Sequence, residues 1–202
     1  MGDRLEVIDK LDNKGHLFVV SGPSGVGKTT LIERFLKENS SSRFSVSYTT
    51  RHQRANEVNG QDYYFVDKED FERMIGEGYF LEWEKVHGQL YGTPLKEVLH
   101  ALHQGIDLFL DVDVNGALRV KERYENAYLI FVEPRSQTDL MKRLTLRGEK
   151  EISLRMKRVK EEMEKKYLFQ YSVINDKLDK AYRDFTKIIE TVRRECHGKN
   201  HR

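Results

Sequence analysis

Gly22 to Thr29 read GPSGVGKT and match G-x-x-x-x-G-K-[ST] without deviation. The run before them, HLFVVSG, is short, apolar and ends in glycine, as a buried strand does. The run after, KTTLIERFLKE, places Leu31, Ile32, Phe35 and Leu36 on one helical face. A strand, a glycine-rich turn and a helix are the setting in which this motif cradles an anion. Glycines let several backbone N–H groups converge on one phosphate. The helix N-terminus adds partial positive charge. Lys28 brings a full charge for the β- and γ-phosphates, and the Thr29 hydroxyl suits Mg²⁺. Gly22, Pro23, Ser24, Gly25, Val26, Gly27, Lys28, Thr29 and Thr30 are therefore candidate nucleotide-binding residues. The motif implies a nucleoside triphosphate with Mg²⁺ and does not separate an ATPase, a GTPase and a small-molecule kinase.

A second substrate needs a second anion site. YTTRHQR sets Arg51 and Arg54 just after a β-rich run, and guanidinium groups present paired planar donors that match phosphate. Tyr63 in DYYFV and Tyr91 in GQLYGT add hydroxyl donors without charge. The competing reading is a solvated basic turn with two packing tyrosines. LEWEKV puts Glu82 and Glu84 on the same strand face, where carboxylates are usually solvated edge residues. Guanine offers an alternative, because its N1–H and 2-amino group are two adjacent donors for one carboxylate. Adenine presents a bare acceptor at N1, so a buried Glu would face a lone pair. Sites built on such pairing reject the unpaired analogue by about 10⁴ or more.

The elements that must position these residues alternate in type. FSVSYTT and DYYFV read as strands, and DKEDFERMIGEG as a helix opened by Asp67 and closed near Gly76. YFLEWEKV alternates, with Phe80 on the face opposite Leu81 and Trp83. In TPLKEVLHALHQG, Thr93 suits an N-cap, Pro94 the first helical position and Gly105 the stop. IDLFLDVD and AYLIFVEP read as core strands, and Ser136 with Asp139 as a capping pattern. A long charged helix is expected from about Glu151 to Tyr167, then a strand at YSVIND and a last helix. Strands alternating with helices predict a parallel α/β sheet. The section from Ser45 to Gly92 is strand-rich and is expected to form its own small lobe.

Together, SGPSGVGKTT, FSVSYTTRHQRANEVNGQDYYFV, FLEWEKVHGQLYGTP, LDVDVNGA and VINDKLDKAY resemble the guanylate kinase family, most closely its compact bacterial type, from His16 to Arg193. The resemblance implies a P-loop NTPase fold, a three-layer α/β/α core with a parallel sheet at residues 15–44, 95–135 and 159–195. A strand-rich GMP-binding lobe is implied at 45–94 and a short helical lid at 136–158, leaving 1–14 and 196–202 as flexible termini. It implies Mg²⁺-dependent transfer of the ATP γ-phosphoryl group to GMP or dGMP, a step that recycles GMP in purine nucleotide metabolism. By the same resemblance, Arg51, Arg54, Tyr63 and Tyr91 hold the GMP phosphate, while Ser47, Glu82, Thr93 and Asp113 read the guanine. Lys28 and Arg51 with the lid arginines Arg147 and Arg155 serve catalysis, Asn175 touches the adenine, and Asp111 lies near the metal through water. The lid turn RGEKEI is shorter than the usual family loop. Two rivals are a related kinase for ribosyl phosphates, which has no need of Glu82, and a phosphopeptide-binding relative, whose cradle is usually damaged.

Composition narrows the classes further. Lys and Arg number 35 against 33 Asp and Glu, so bulk charge does not favour nucleic acid. The single cysteine, Cys196, excludes a disulfide framework and suits a reducing, cytoplasmic setting. No apolar run is long enough to cross a membrane, and the leader resembles neither a signal nor a transit peptide. The expected partners are small nucleotides, with no nucleic acid or membrane, and the expected state is monomer or homodimer.

Overall fold

The computed structural model describes residues 15–86, 88–146 and 152–199, with side chains described except at 146, 152–155 and 197–199. In chain order the elements begin with β1 (Leu17–Ser21), buried at every position, and α1 (Lys28–Glu38), which buries Leu31, Ile32 and Phe35. Next come β2 (Ser42–Phe44), β3 (Tyr48–Thr49), β4 (Tyr64–Phe65), α2 (Lys68–Gly76), β5 (Phe80–Val86), β6 (Gln89–Pro94) and α3 (Leu95–His103). The remainder are β7 (Asp107–Asp111), α4 (Val114–Arg123), β8 (Tyr128–Pro134), α5 (Gln137–Leu146), α6 (Ile152–Glu164), β9 (Tyr171–Asn175) and α7 (Leu178–Lys199). One sheet has the order β2-β7-β1-β8-β9, with parallel pairing in β2–β7 and β8–β9. A second sheet has the order β4-β3-β6-β5. The parallel α/β sheet that alternation predicts is present.

The chain divides into two units. One comprises residues 15–18, Ser41–Leu110 and Asn115–Ala127, and so holds the four-stranded sheet. There Phe71, Phe80 and Leu90 form an apolar cluster flanked by Tyr48, Met74 and Tyr79, with the Phe71 and Phe80 rings stacked at 4.6 Å. The other comprises Val19–Ser40, Asp111–Val114 and residues 128–199, and holds the phosphate loop. Phe35 of α1 meets Phe185 of α7 edge-on at 6.0 Å, and Ile189 and Val192 continue that buried stripe.

Several local expectations hold and several do not. The Asp67 carboxylate accepts from the Asp70 N–H (2.7 Å) and opens α2, and the Ser136 hydroxyl accepts from the Asp139 N–H (3.1 Å). Thr93 is not a helix cap. It lies in β6, and α3 starts at Leu95 after Pro94 in the cap position. The Thr93 hydroxyl is used across the strand instead, by Glu82. The alternation expected in β5 is also broken. The pairing steps from Phe80↔Pro94 to Glu82↔Thr93, so Leu81 is an extra residue in a bulge. After it, Phe80 and Trp83 share a face and Trp83 stands 37% exposed. The helix α4 is an element that the sequence patterns above do not predict. The helix α7 runs to Lys199, past the expected start of a terminal tail, and the Cys196 thiol meets the Tyr128 hydroxyl at 2.9 Å.

Candidate active site

The phosphate loop is pinned by its own unit. Gly27 has φ 98° at the cap of α1, a left-handed conformation that costs glycine nothing. A Cβ there would stand 2.5 Å from the Asn175 side-chain nitrogen. That nitrogen donates to the Val26 carbonyl (2.8 Å), and Asn175 is only 5% exposed. Arg143 of α5 donates to the Val26 carbonyl (3.3 Å) and to the Asn175 carbonyl (3.0 Å). Inside the loop the Val26 N–H reaches the Pro23 carbonyl (3.2 Å). Ser24, Thr29 and Thr30 are exposed. A cavity of about 400 Å³ is lined by Gly25, Gly27, Thr30, Arg143, Asn175, Asp176 and Leu178.

Lys28 donates to the Gly22 carbonyl (2.8 Å) and lies 3.7 Å from an Asp111 oxygen. The Thr29 hydroxyl donates to the other Asp111 oxygen (2.6 Å). A hydroxyl and a carboxylate meet at the loop's end, where α1 begins, both hard oxygen donors of the kind Mg²⁺ takes. Among the described residues no group of three or more His, Cys, Asp or Glu side chains is placed to hold a metal ion. Asp113, two residues on, accepts from Arg158 of α6 (2.6 Å), and Arg158 also pairs with Glu162 (2.9 Å). Burial pushes the Glu162 carboxyl above its ordinary range, against the pull of Arg158 and Lys28. Arg147 lies outside the described residues, and Arg155 is described by its backbone alone, within α6.

The other candidate residues gather on the four-stranded sheet. The bulge at Leu81 lets Phe80 point into the apolar cluster while Glu82, two residues later, faces the opposite side. Glu82 pairs with Thr93, and Glu84 with Tyr91, so Glu82, Glu84, Tyr91 and Thr93 share one face. Glu82 is 4% exposed and accepts from the Thr93 hydroxyl (2.7 Å). Thr49 pairs with Tyr91, which brings Arg51, just past β3, to the same ribbon. The Arg51 guanidinium lies 5.3 Å from the centre of the Tyr63 ring, and the Tyr63 and Tyr91 rings meet at 5.8 Å. Arg54 is exposed. The Ser47 carbonyl accepts from the Tyr64 N–H (2.9 Å).

Glu57 was not read from the sequence as a site residue. Its two oxygens take both terminal nitrogens of Arg51 (2.7 and 2.9 Å), and one also accepts the Arg54 N–H (2.8 Å). The Arg51 guanidinium holds the Glu57 carboxyl below its usual range, and Glu57 in turn raises Arg51 above its own. Its signal was faint, an unremarkable Glu in the loop RANEV. Arg143 likewise carries no sequence signal of its role beyond its place in the expected lid segment 136–158.

The guanylate kinase family model matches residues 14–192. The chain belongs to the guanylate kinase family. It is 42% identical over 193 residues to a guanylate kinase of Syntrophomonas wolfei, covering 94% of this chain and 98% of that one. It is 42% identical over 183 residues to a guanylate kinase of Thermotoga maritima, covering 89% and 88%. A crystal structure of guanylate kinase from Anaplasma phagocytophilum superposes with a TM-score of 0.74 at 29% identity, covering 89% of this chain and 86% of that one. Membership in the guanylate kinase family fits both the intact phosphate loop and the buried carboxylate beside an arginine–tyrosine cluster.

Proposed function

We infer that this chain is an enzyme that transfers the γ-phosphoryl group of ATP to GMP, giving ADP and GDP. The observation that carries the reading is Glu82, a buried carboxylate sharing a sheet face with Thr93 and Tyr91. In this reading the Glu82 carboxylate accepts the guanine N1–H and 2-amino donors, with Ser47, Thr93 and Asp113 completing recognition of the base. Arg51, Arg54, Tyr63 and Tyr91 hold the GMP phosphate through charge and hydroxyl donors. The loop amides of Gly22–Thr30 and Lys28 hold the ATP phosphates, and the cavity beside Asn175 takes the nucleoside end. Arg147 and Arg155 are assigned to the phosphates from the lid. Thr29 and Asp111, through water, would hold Mg²⁺. When bound with ATP, that ion neutralises charge on the phosphate oxygens.

The transition state spreads negative charge over the moving phosphoryl group, so catalysis rests on positioning and on positive charge. The acceptor phosphate is itself nucleophilic, and no protein base is required. Lys28 follows the charge on the donor side and Arg51 on the acceptor side. Removing one such contact commonly costs about 10²-fold in rate. Among the described residues no helix is long and apolar enough to cross a membrane, and the reading extends to a cytoplasmic monomer or homodimer.

A coupled assay with GMP, dGMP, AMP and UMP tests the reading. GMP is expected to be phosphorylated well, dGMP less well, and AMP and UMP not at all. Comparable turnover of AMP would remove Glu82 from base recognition.

A further inference from the structure

Among the described residues β5 is an outer strand of its sheet, so one edge of its backbone is left to side chains. Two arginines of α4 occupy that edge. Arg123 donates to the Leu81 carbonyl (2.6 Å) and more distantly to the Phe80 carbonyl (3.3 Å). Arg119 donates to the Trp83 carbonyl (2.7 Å) and also pairs with the Glu84 carboxylate. The two arginines stand one helical turn apart. The carbonyls they hold belong to the residues immediately before and after Glu82.

A bulge needs fixing wherever it decides which way a functional side chain points. In a strand, a shift of one residue exchanges the two faces. The extra residue at Leu81 is what separates the direction of Phe80 from that of Glu82. Were the bulge to move one residue towards the end of β5, Glu82 would turn to the face of Phe80, and a carboxylate would enter the apolar cluster. The Thr93 hydroxyl restrains the Glu82 side chain, but it does not restrain the backbone on the outer edge.

We propose that Arg119 and Arg123 are positioning residues for purine discrimination, a clamp from α4 that locks the bulge at Leu81 and so aims the Glu82 carboxylate at the guanine edge. The proposal rests on the reading of Glu82 given above. Neither arginine is assigned a contact to substrate. Each keeps one flanking peptide group in place, and a small backbone shift at Glu82 is enough to lose one of its two contacts to the base. The contact to the 2-amino group is the sensitive one, because it depends on both carboxylate oxygens being level with the purine edge.

Inosine monophosphate retains N1–H and lacks the 2-amino group, so the ratio of kcat/KM for GMP to that for inosine monophosphate reports that contact. Both rates come from one enzyme sample, and the fraction of folded protein cancels from the ratio. Arg119→Met and Arg123→Met keep the aliphatic stem and remove the donors. Each single variant is expected to lower the ratio about tenfold, the scale of one lost hydrogen bond to a charged group. The loss falls on GMP far more than on inosine monophosphate. Arg123→Lys, which restores one donor, is expected to recover part of the ratio. An unchanged ratio in both Met variants, or an equal fall for both nucleotides, overturns the clamp, whatever the melting temperature does. Glu82→Gln in the same assay separates the two levels. If it lowers the ratio and the arginine variants do not, the clamp fails and the reading of Glu82 stands. If Glu82→Gln leaves the ratio alone, the reading of Glu82 falls and the clamp with it.

Discussion

A carboxylate inside a phosphate site repels the ligand unless it serves the cations around it. Glu57 takes both terminal nitrogens of Arg51 and the N–H of Arg54, so it fixes the fork in one orientation. Glu57→Gln is expected to raise KM for GMP about tenfold, near 1.4 kcal/mol, with a smaller effect on kcat. Steady-state kinetics in GMP at saturating ATP check this, and an unchanged KM excludes Glu57 from the site. The pairing also carries a pH dependence. Because the folded carboxyl is held below its usual range, its contribution to stability is complete above the unfolded value of about 4.3. It is lost as pH falls through the lowered folded value. Glu57→Gln should therefore flatten the acid limb of an unfolding-versus-pH series below about pH 4.3. On the donor side, Lys28→Ala is expected to lower turnover by about 10²-fold or more while GMP still binds, as titration of the nucleotide would show. Retained turnover takes Lys28 out of the mechanism.

At the scale of elements, the strand–loop–helix of the phosphate cradle could be read from GPSGVGKT, because the motif's glycines and lysine are demanded by backbone geometry and charge. What holds the loop could not. Asn175 sits far along the chain, and its buried amide donates to the Val26 carbonyl through an approach that only the absence of a Cβ at Gly27 allows. Asn175→Ala leaves that carbonyl with Arg143 as a longer partner, at 3.3 Å. It is expected to cost about 1–3 kcal/mol of stability and to raise KM for ATP more than KM for GMP. Thermal unfolding and paired substrate titrations measure both, and a larger effect on GMP would refute this role. The same limit explains other differences. Thr93 followed by Pro94 has the composition of a helix start, but its hydroxyl donates to Glu82 on the neighbouring strand β5, a partner that local spacing does not show. In β5 the alternation of FLEWEKV hides the bulge, because an extra residue is visible only in the pairing with β6. The helix α4 begins in VNGA, where Gly116 and β-branched Val114 weaken the local preference. Type and order of the long apolar elements were legible. Cross-strand and edge contacts were not, since they join residues by position in space.

Across the whole molecule, the proposed nucleotide contacts sort by unit except for Asp113, a proposed guanine contact that falls within the unit of the phosphate loop. Ser47, Arg51, Arg54, Tyr63, Glu82, Tyr91 and Thr93 fall within one unit, and the phosphate loop with Arg143 and Asn175 falls within the other. A ligand that binds only the folded form lowers the population of local openings around it in proportion to its occupancy. At about 100 times Kd the stabilisation is about 2.7 kcal/mol, which slows exchange of an amide opened by that local event about 100-fold. Hydrogen exchange with GMP alone is therefore expected to protect residues 47–65 and 80–93 first. A non-hydrolysable ATP analogue alone is expected to protect residues 22–30 and 173–175. Amides of the buried α1–α7 stripe exchange only through larger openings, so they serve as an internal reference for global stabilisation. If GMP slowed residues 22–30 as strongly as 47–65, relative to that reference, the separate assignment of acceptor and donor contacts would fail, even with full phosphoryl transfer in the assay.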